Sequence, residues 1–154
     1  MTGSTRRPRR RPGENRVALL EAAVLEFGLN GFHGASTAEI AARAQVPQPH
    51  VYVHFSTKAE LFLAALQSAY GRVGGDAAPQ SADERSAPQQ RSEALMHLQA
   101  IAVLTEPSLS PALVQMVDEK ITAEGEGWHR AMLGTASEAL LASIQEDSGA
   151  QSAR

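Results

Sequence analysis

Within Gln48-Pro49-His50-Val51-Tyr52-Val53-His54-Phe55 two histidines stand four apart among apolar residues. On a helix that spacing stacks both rings on one face, as a zinc-binding His-Glu-x-x-His pair requires. A helix that presents polar groups to a nucleic acid needs the same exposure. Zinc chemistry fits poorly. Val51 occupies a position inside the pair where a catalytic carboxylate would be wanted, and a third ligand from His33, His97, His129 or a carboxylate has no recognisable spacing. No metal and no cofactor is expected. Neither a Ser-His-Asp grouping, a phosphate-binding loop nor a pair of carboxylates with workable geometry stands out, so the chain does not read as an enzyme. The other histidines read as ordinary surface or half-buried residues.

The elements that position this octapeptide follow from composition and periodicity. The chain is 43% hydrophobic but only 5% aromatic, with Ala and Leu doing most of the filling, which favours helices over a β sandwich. An all-α fold is expected. The absence of cysteine excludes a disulfide framework and thiolate chemistry and suits a reducing cytoplasm. No apolar run approaches a signal segment, let alone a membrane span of about 20 residues, so a soluble, cytoplasmic protein with no membrane partner is expected. Charge is uneven: residues 1–60 carry +3 and residues 61–154 carry −6. The positive excess lies mostly in Arg6, Arg7, Arg9, Arg10, Arg11 and Arg16, and it points to a polyanionic partner for the first part. Residues 1–13 read as a basic arm, disordered when free and able to order on DNA.

From Glu14 the pattern is helical, with Val17, Leu20, Val24 and Phe27 recurring at spacings of three and four, and Asn30-Gly31 stops it. Ser36-Thr37-Ala38-Glu39 is a capping box, in which hydroxyl and carboxylate satisfy each other's backbone N–H groups, and it opens a short second helix. Ala44-Gln45-Val46-Pro47 breaks that helix. A third begins at Gln48, with Pro49 in its first turn, and ends at Phe55. Thr57-Lys58-Ala59-Glu60 is a second box, opening a fourth helix with Leu61, Phe62, Ala65, Leu66 and Ala69 on one face. The organisation is then residues 14–57 as a three-helix head, 58–70 as a connecting helix, and 71–91 as a flexible linker rich in Gly, Pro, Ser and Gln. Residues 92–146 form a small helical domain, and 147–154 a disordered tail.

Two short helices joined by a tight turn at residues 44–47 form a helix-turn-helix, whose second helix enters the major groove. Helical phase turns Val51 and Phe55 inward with Ile40, Ala44 and Val46, and leaves Gln48, His50, Tyr52, Val53 and His54 at or near the surface. Residues 16–66 here resemble the DNA-binding domain of the TetR family of bacterial transcriptional repressors. The resemblance is carried by Leu20-Glu21-Ala22-Ala23, Phe27 with Gly31-Phe32, Ser36 to Ala41, Ala44-x-Val46, and Val51-Tyr52-x-x-Phe55-x-x-Lys58-x-x-Leu61-Phe62. It implies Gln48, His50, Tyr52 and Val53 in the groove, and Ser36, Thr37, His54 and Lys58 on phosphates. Gln can pair with an adenine edge and a Val methyl can touch a thymine methyl, whereas Lys58 beside a helix N-terminus suits a phosphate. The chain departs from the family pattern with Gln45 where Gly is usual and Pro47 where Ser or Thr usually caps the third helix. A left-handed Gln45 would cost roughly 1 kcal/mol.

For the second half the resemblance, weaker here, implies a small-molecule pocket and a dimer face in a domain shorter than the family's usual one. Met96, Met116, Trp128 and Met132 can line a pocket for a small apolar ligand, or simply fill a core at helical spacing. The four-residue stripe Trp128, Met132, Ala136, Leu140 and Ile144 fits either a dimer face or an internal helix. The dimer is preferred, because palindromic half-sites mirror a two-fold protein. The expected function is a ligand-responsive repressor that binds a palindromic operator in double-stranded DNA as a homodimer. The alternative is a helical interaction protein that lacks ligand sensing and pairs with a longer relative.

Overall fold

The computed structural model describes residues 13–71 and 87–152, and every regular element among them is helical. These are α1 (Glu14–Gly34), α2 (Thr37–Ala44), α3 (Pro49–His54), α4 (Lys58–Gly71), α5 (Ala87–Ala102), α6 (Ser110–Glu124) and α7 (Glu126–Ser152). The expected basic arm, except Gly13, and residues 72–86 of the expected linker lie outside the described residues. Two boundaries differ from expectation. α5 starts at Ala87, because Pro88 falls in its first turn, where a missing N–H is harmless. α7 continues past residue 146 to Ser152, since extending an existing helix is cheap compared with starting one.

α1 forms because its apolar residues recur on one face, and it buries Leu19, Leu20, Ala23, Val24 and Phe27. Val17, placed on that stripe by periodicity, is 56% exposed, since the stripe leaves the core before reaching it. Gly31 breaks the helix with φ 72° and ψ 174°, a conformation glycine adopts without strain, and a last helical turn resumes beyond it. That turn buries Phe32 against Phe62, at 5.3 Å between ring centroids, while Phe27 meets Phe62 edge-on at 5.0 Å. The same core continues through Met96 and Ala100 of α5 to Leu113 and Val117 of α6.

α1 and α5 cross closely at Gly28, where an added Cβ would stand 3.2 Å from the Leu95 Cβ. On the other side of α5, Ala94 and Leu95 pack on Ala136 and Ala139 of α7, with Leu98, Met132 and Leu140 beside them. The stripe preferred above as a dimer face therefore turns inward: Met132, Ala136 and Leu140 pack on α5, and Trp128 packs on Tyr70 and His97. A packed internal helix shows the same periodicity as an interface helix. Leu141, 62% exposed, and Val114 of α6 are left as exposed apolar residues.

The turn between α2 and α3 has the geometry its sequence makes costly. Gln45 is left-handed, at φ 55° and ψ 40°, and its N–H bonds the Ala42 carbonyl at 3.0 Å while Val46 N–H bonds Ala41 at 3.0 Å. Replacing Gln45 by Gly should remove the Cβ clash but add unfolded-chain entropy. The expected net gain is about 0.5–1 kcal/mol, read as a higher urea midpoint at unchanged slope.

Candidate nucleic-acid interface

The head is assembled around α3. Val51 and Phe55 are buried, and they seat α3 against Ile40, Ala44 and Val46 as helical phase requires. The carbonyl of Pro47 accepts the His50 N–H at 2.9 Å and that of Gln48 accepts Val51 at 3.0 Å, so the helix starts without a side-chain cap. What remains outward is Gln48, His50, Tyr52 and Val53, with Tyr52 54% and Val53 76% exposed. His54 is only partly exposed, its ring 6.3 Å from that of Phe55.

Around this face stand the groups expected on phosphates. Ser36 caps α2 by accepting the Glu39 N–H at 3.1 Å, and its hydroxyl donates to the Glu39 carboxylate at 2.9 Å. That differs from the reciprocal box expected, in which the carboxylate would take the Ser36 N–H. In the second box Thr57 accepts the Glu60 N–H at 3.0 Å, and the Glu60 carboxylate takes the N–H of Ser56 at 2.7 Å. The Thr37 and Tyr52 hydroxyls lie 3.1 Å apart, one donating to the other, and join the start of α2 to α3. Lys58 donates to the His33 carbonyl at 3.3 Å and lies 5.2 Å over the Phe32 ring, so its ammonium is held at the head's edge rather than free in solvent.

Two features of the head escape a reading by periodicity. Arg16, counted above only among the basic residues, places its guanidinium 5.4 Å from the Phe55 ring centroid, beside the end of α3. Glu26, 5% exposed, takes a hydrogen bond from Arg43 at 2.6 Å and one from Asn30 at 2.8 Å, tying α2 to α1. Helical phase pairs Glu26 with Asn30 within α1, but it hints at neither Arg16 on Phe55 nor Arg43 on Glu26, which are contacts between elements.

In the C-terminal half the four residues proposed for a ligand are not brought into one cavity. Met96 is fully buried in the main core, Met116 lies at that core's edge, Met132 sits in the smaller cluster, and Trp128 covers His97. Of the four only Met116 lines the cleft of about 270 Å³ between α4 and α6, together with Gln67, Tyr70, Glu119 and Lys120. The polar feature nearby is one the sequence reading passed over as ordinary. The Tyr70 hydroxyl meets Nδ1 of His97 at 2.5 Å, and Nε2 of His97 meets Nδ1 of His129 at 2.9 Å. Burial raises the Tyr70 phenol's pKa, so it keeps its proton and donates. The hydrogen-bond pattern then assigns His97 the Nε2–H tautomer, donating to His129. Burial first, then the charges of His129 and Lys120, push the His97 imidazolium down to about 4. One hint lay in the chain: His97 falls one position after the buried Met96 and three before Ala100, on the apolar face of α5.

An exposed, polar-tipped second helix carried by a tight turn on a three-helix core defines a helix-turn-helix head. Residues 19–65 match the N-terminal domain of the family described as bacterial regulatory proteins, tetR family. Over 66 residues it is 50% identical to the HTH-type transcriptional activator FasR of Mycolicibacterium smegmatis, covering 42% of this chain and 30% of that protein. Over 60 residues it is 38% identical to the uncharacterized HTH-type transcriptional regulator YdgC of Bacillus subtilis, covering 39% of this chain and 31% of that protein. The matched part thus spans about a third of the length of these curated relatives, at 30% and 31%. Among solved structures, the multidrug binding protein EbrR complexed with imidazole aligns with a TM-score of 0.49 at 24% identity, over 92% of this chain and 87% of that one. No helix among the described residues is long and apolar enough to cross a membrane.

Proposed function

We propose that this protein is a sequence-specific transcriptional regulator that binds a palindromic operator as a homodimer, represses by occluding a promoter, and responds to a small apolar ligand. The observation that carries the reading is the outward face of α3, where Gln48, His50, Tyr52 and Val53 are exposed while Val51 and Phe55 are buried. In this reading those four reach base edges, and Ser36, Thr37, His54 and Lys58 hold phosphates. The bond between the Thr37 and Tyr52 hydroxyls supports a fixed orientation of the Tyr52 ring on the outward face. FasR, similar over the head, is named an activator, so the head suits either sign of regulation; repression depends on where the operator lies. With the Trp128 stripe packed inside, the proposed dimer face moves to the exposed Val114 and Leu141. The proposed ligand site narrows to the α4–α6 cleft beside Met116.

A DNase footprint on the DNA flanking the protein's own gene tests the reading. A protected, roughly palindromic site is expected, with binding that weakens steeply as salt rises. His50→Ala should cost about 1–3 kcal/mol at one base pair of each half-site and relax preference there. Lys58→Ala should weaken all duplexes alike and lower the salt slope by about 1. Uniform protection by the wild-type protein, with His50→Ala indistinguishable from it, would sink sequence-specific binding.

A further inference from the structure

Among the places where the head meets the C-terminal half, one surrounds the break in α1. Gly28 lets α5 pass within van der Waals reach of the α1 backbone, and the Gln99 amide donates to the Gly28 carbonyl at 3.4 Å. The Gln99 Oε1 then lies 3.0 Å from where a Cβ on Gly31 would stand, so this side chain fills the space left by the break in α1. Beyond the break, the His33 Nε2 lies 3.3 Å from the Glu106 carboxylate, in the turn between α5 and α6. The His33 carbonyl also takes the Lys58 ammonium from the first turn of α4. Ser36 and Thr37, which begin α2, follow within a few residues.

A helix broken at a glycine has soft torsions at the break, and here its ψ of 174° lies far from any helical value. Beyond the break the Ala35 N–H closes α1 on the Gly31 carbonyl, at 3.1 Å. The Glu26–Arg43 pair and the shared core fix α2 on α1, and at the break itself the chain direction depends on what grips residues 28–33. Two of those grips, Gln99 and Glu106, come from the half of the chain that carries the α4–α6 cleft.

We infer that Gln99 and Glu106 are positioning residues for DNA binding, setting the pose of the α2–α3 pair through the break at Gly31 without touching DNA themselves. The inference rests on the DNA-binding reading above. It makes the α1 break the place where a change in α5 or α6 reaches the reading helix.

The test uses the full chain and a duplex enriched by the wild-type protein from a random-sequence pool. Gln99→Ala and Glu106→Gln should each lower affinity for that duplex, by about five- to tenfold for Gln99→Ala, at temperatures well below melting. The double variant should fall short of the product of the two effects, because both act on one joint. Glu106→Asp should restore part of the loss by keeping the charge. Leu98→Ala, which loosens α5 against α7 away from the break, serves as the control for stability alone: it should lower the melting temperature while leaving affinity unchanged. Glu106→Gln is nearly isosteric and changes a pair whose His33 side is exposed, so the test survives even if Gln99→Ala unfolds. Wild-type affinity in both single variants, alongside a loss in Lys58→Ala, overturns the positioning role and keeps the DNA-binding reading. Failure of the wild-type protein to enrich any duplex overturns the reading itself, and the inference with it.

Discussion

Phe62→Ala should lower stability by about 3–5 kcal/mol, a large part of the 5–15 kcal/mol typical of a whole domain. The ring is fully buried and touches both Phe27 and Phe32, so its removal leaves a cavity bounded by rings whose backbones are fixed in α1. Collapse into that space would have to drag the Gly31 break with it. The loss should not stay local, because the core that holds Phe62 also holds Met96, Leu113 and Val117. Trp128, the one tryptophan of the chain, reports on the C-terminal half. Urea unfolding followed by its fluorescence and by far-UV circular dichroism should show the same shift in midpoint. A shift seen by dichroism alone would mean that the two halves unfold separately.

Acid should weaken the protein through His97. This ring is fully buried, and its pKa is pushed down to about 4 from an ordinary value of 6.5. The unfolded chain therefore takes up the proton first as the pH falls. Stability from this group is complete above about pH 6.5 and is lost progressively towards pH 4, by about 3 kcal/mol in all. His97→Leu should flatten that part of the pH profile. The variant should also cost about 1 kcal/mol at neutral pH, because the partly buried Tyr70 hydroxyl loses its acceptor. Urea midpoints compared at pH 7 and pH 5 decide the matter; an unchanged pH slope in His97→Leu would place the acid sensitivity elsewhere.

The head was legible because its signals are local. The boundary residues of α2, α3 and α4 follow from two hydroxyl caps and a proline, and the burial of Val51 and Phe55 follows from their spacing alone. The left-handed Gln45 was legible only through the resemblance, which puts Gly at that place in the turn. What was not legible depends on partners far along the chain. The stripe on α7 reads the same whether α5 or a second subunit covers it. Tyr70, His97 and His129 sit on three different helices, and their hydrogen bonds exist only once those helices are packed. The four residues grouped as a pocket shared a chemical type and not a location, which is why only Met116 reached the cleft.

The close crossing of α1 and α5 at Gly28 also bears on how such a head can be exchanged. A cassette ending at Gly71 looks complete in sequence, since it holds every helix of the reading head. In space its α1 has a seam shaped by Leu95 and Met96 of α5 and left bare without them. Grafted onto a foreign sensory body, the head would carry an exposed strip beside Phe27 and a break at Gly31 held only from the side of α4, by Lys58 and Phe62. The transferable unit is the head with α5, and α5 is in turn covered by α7.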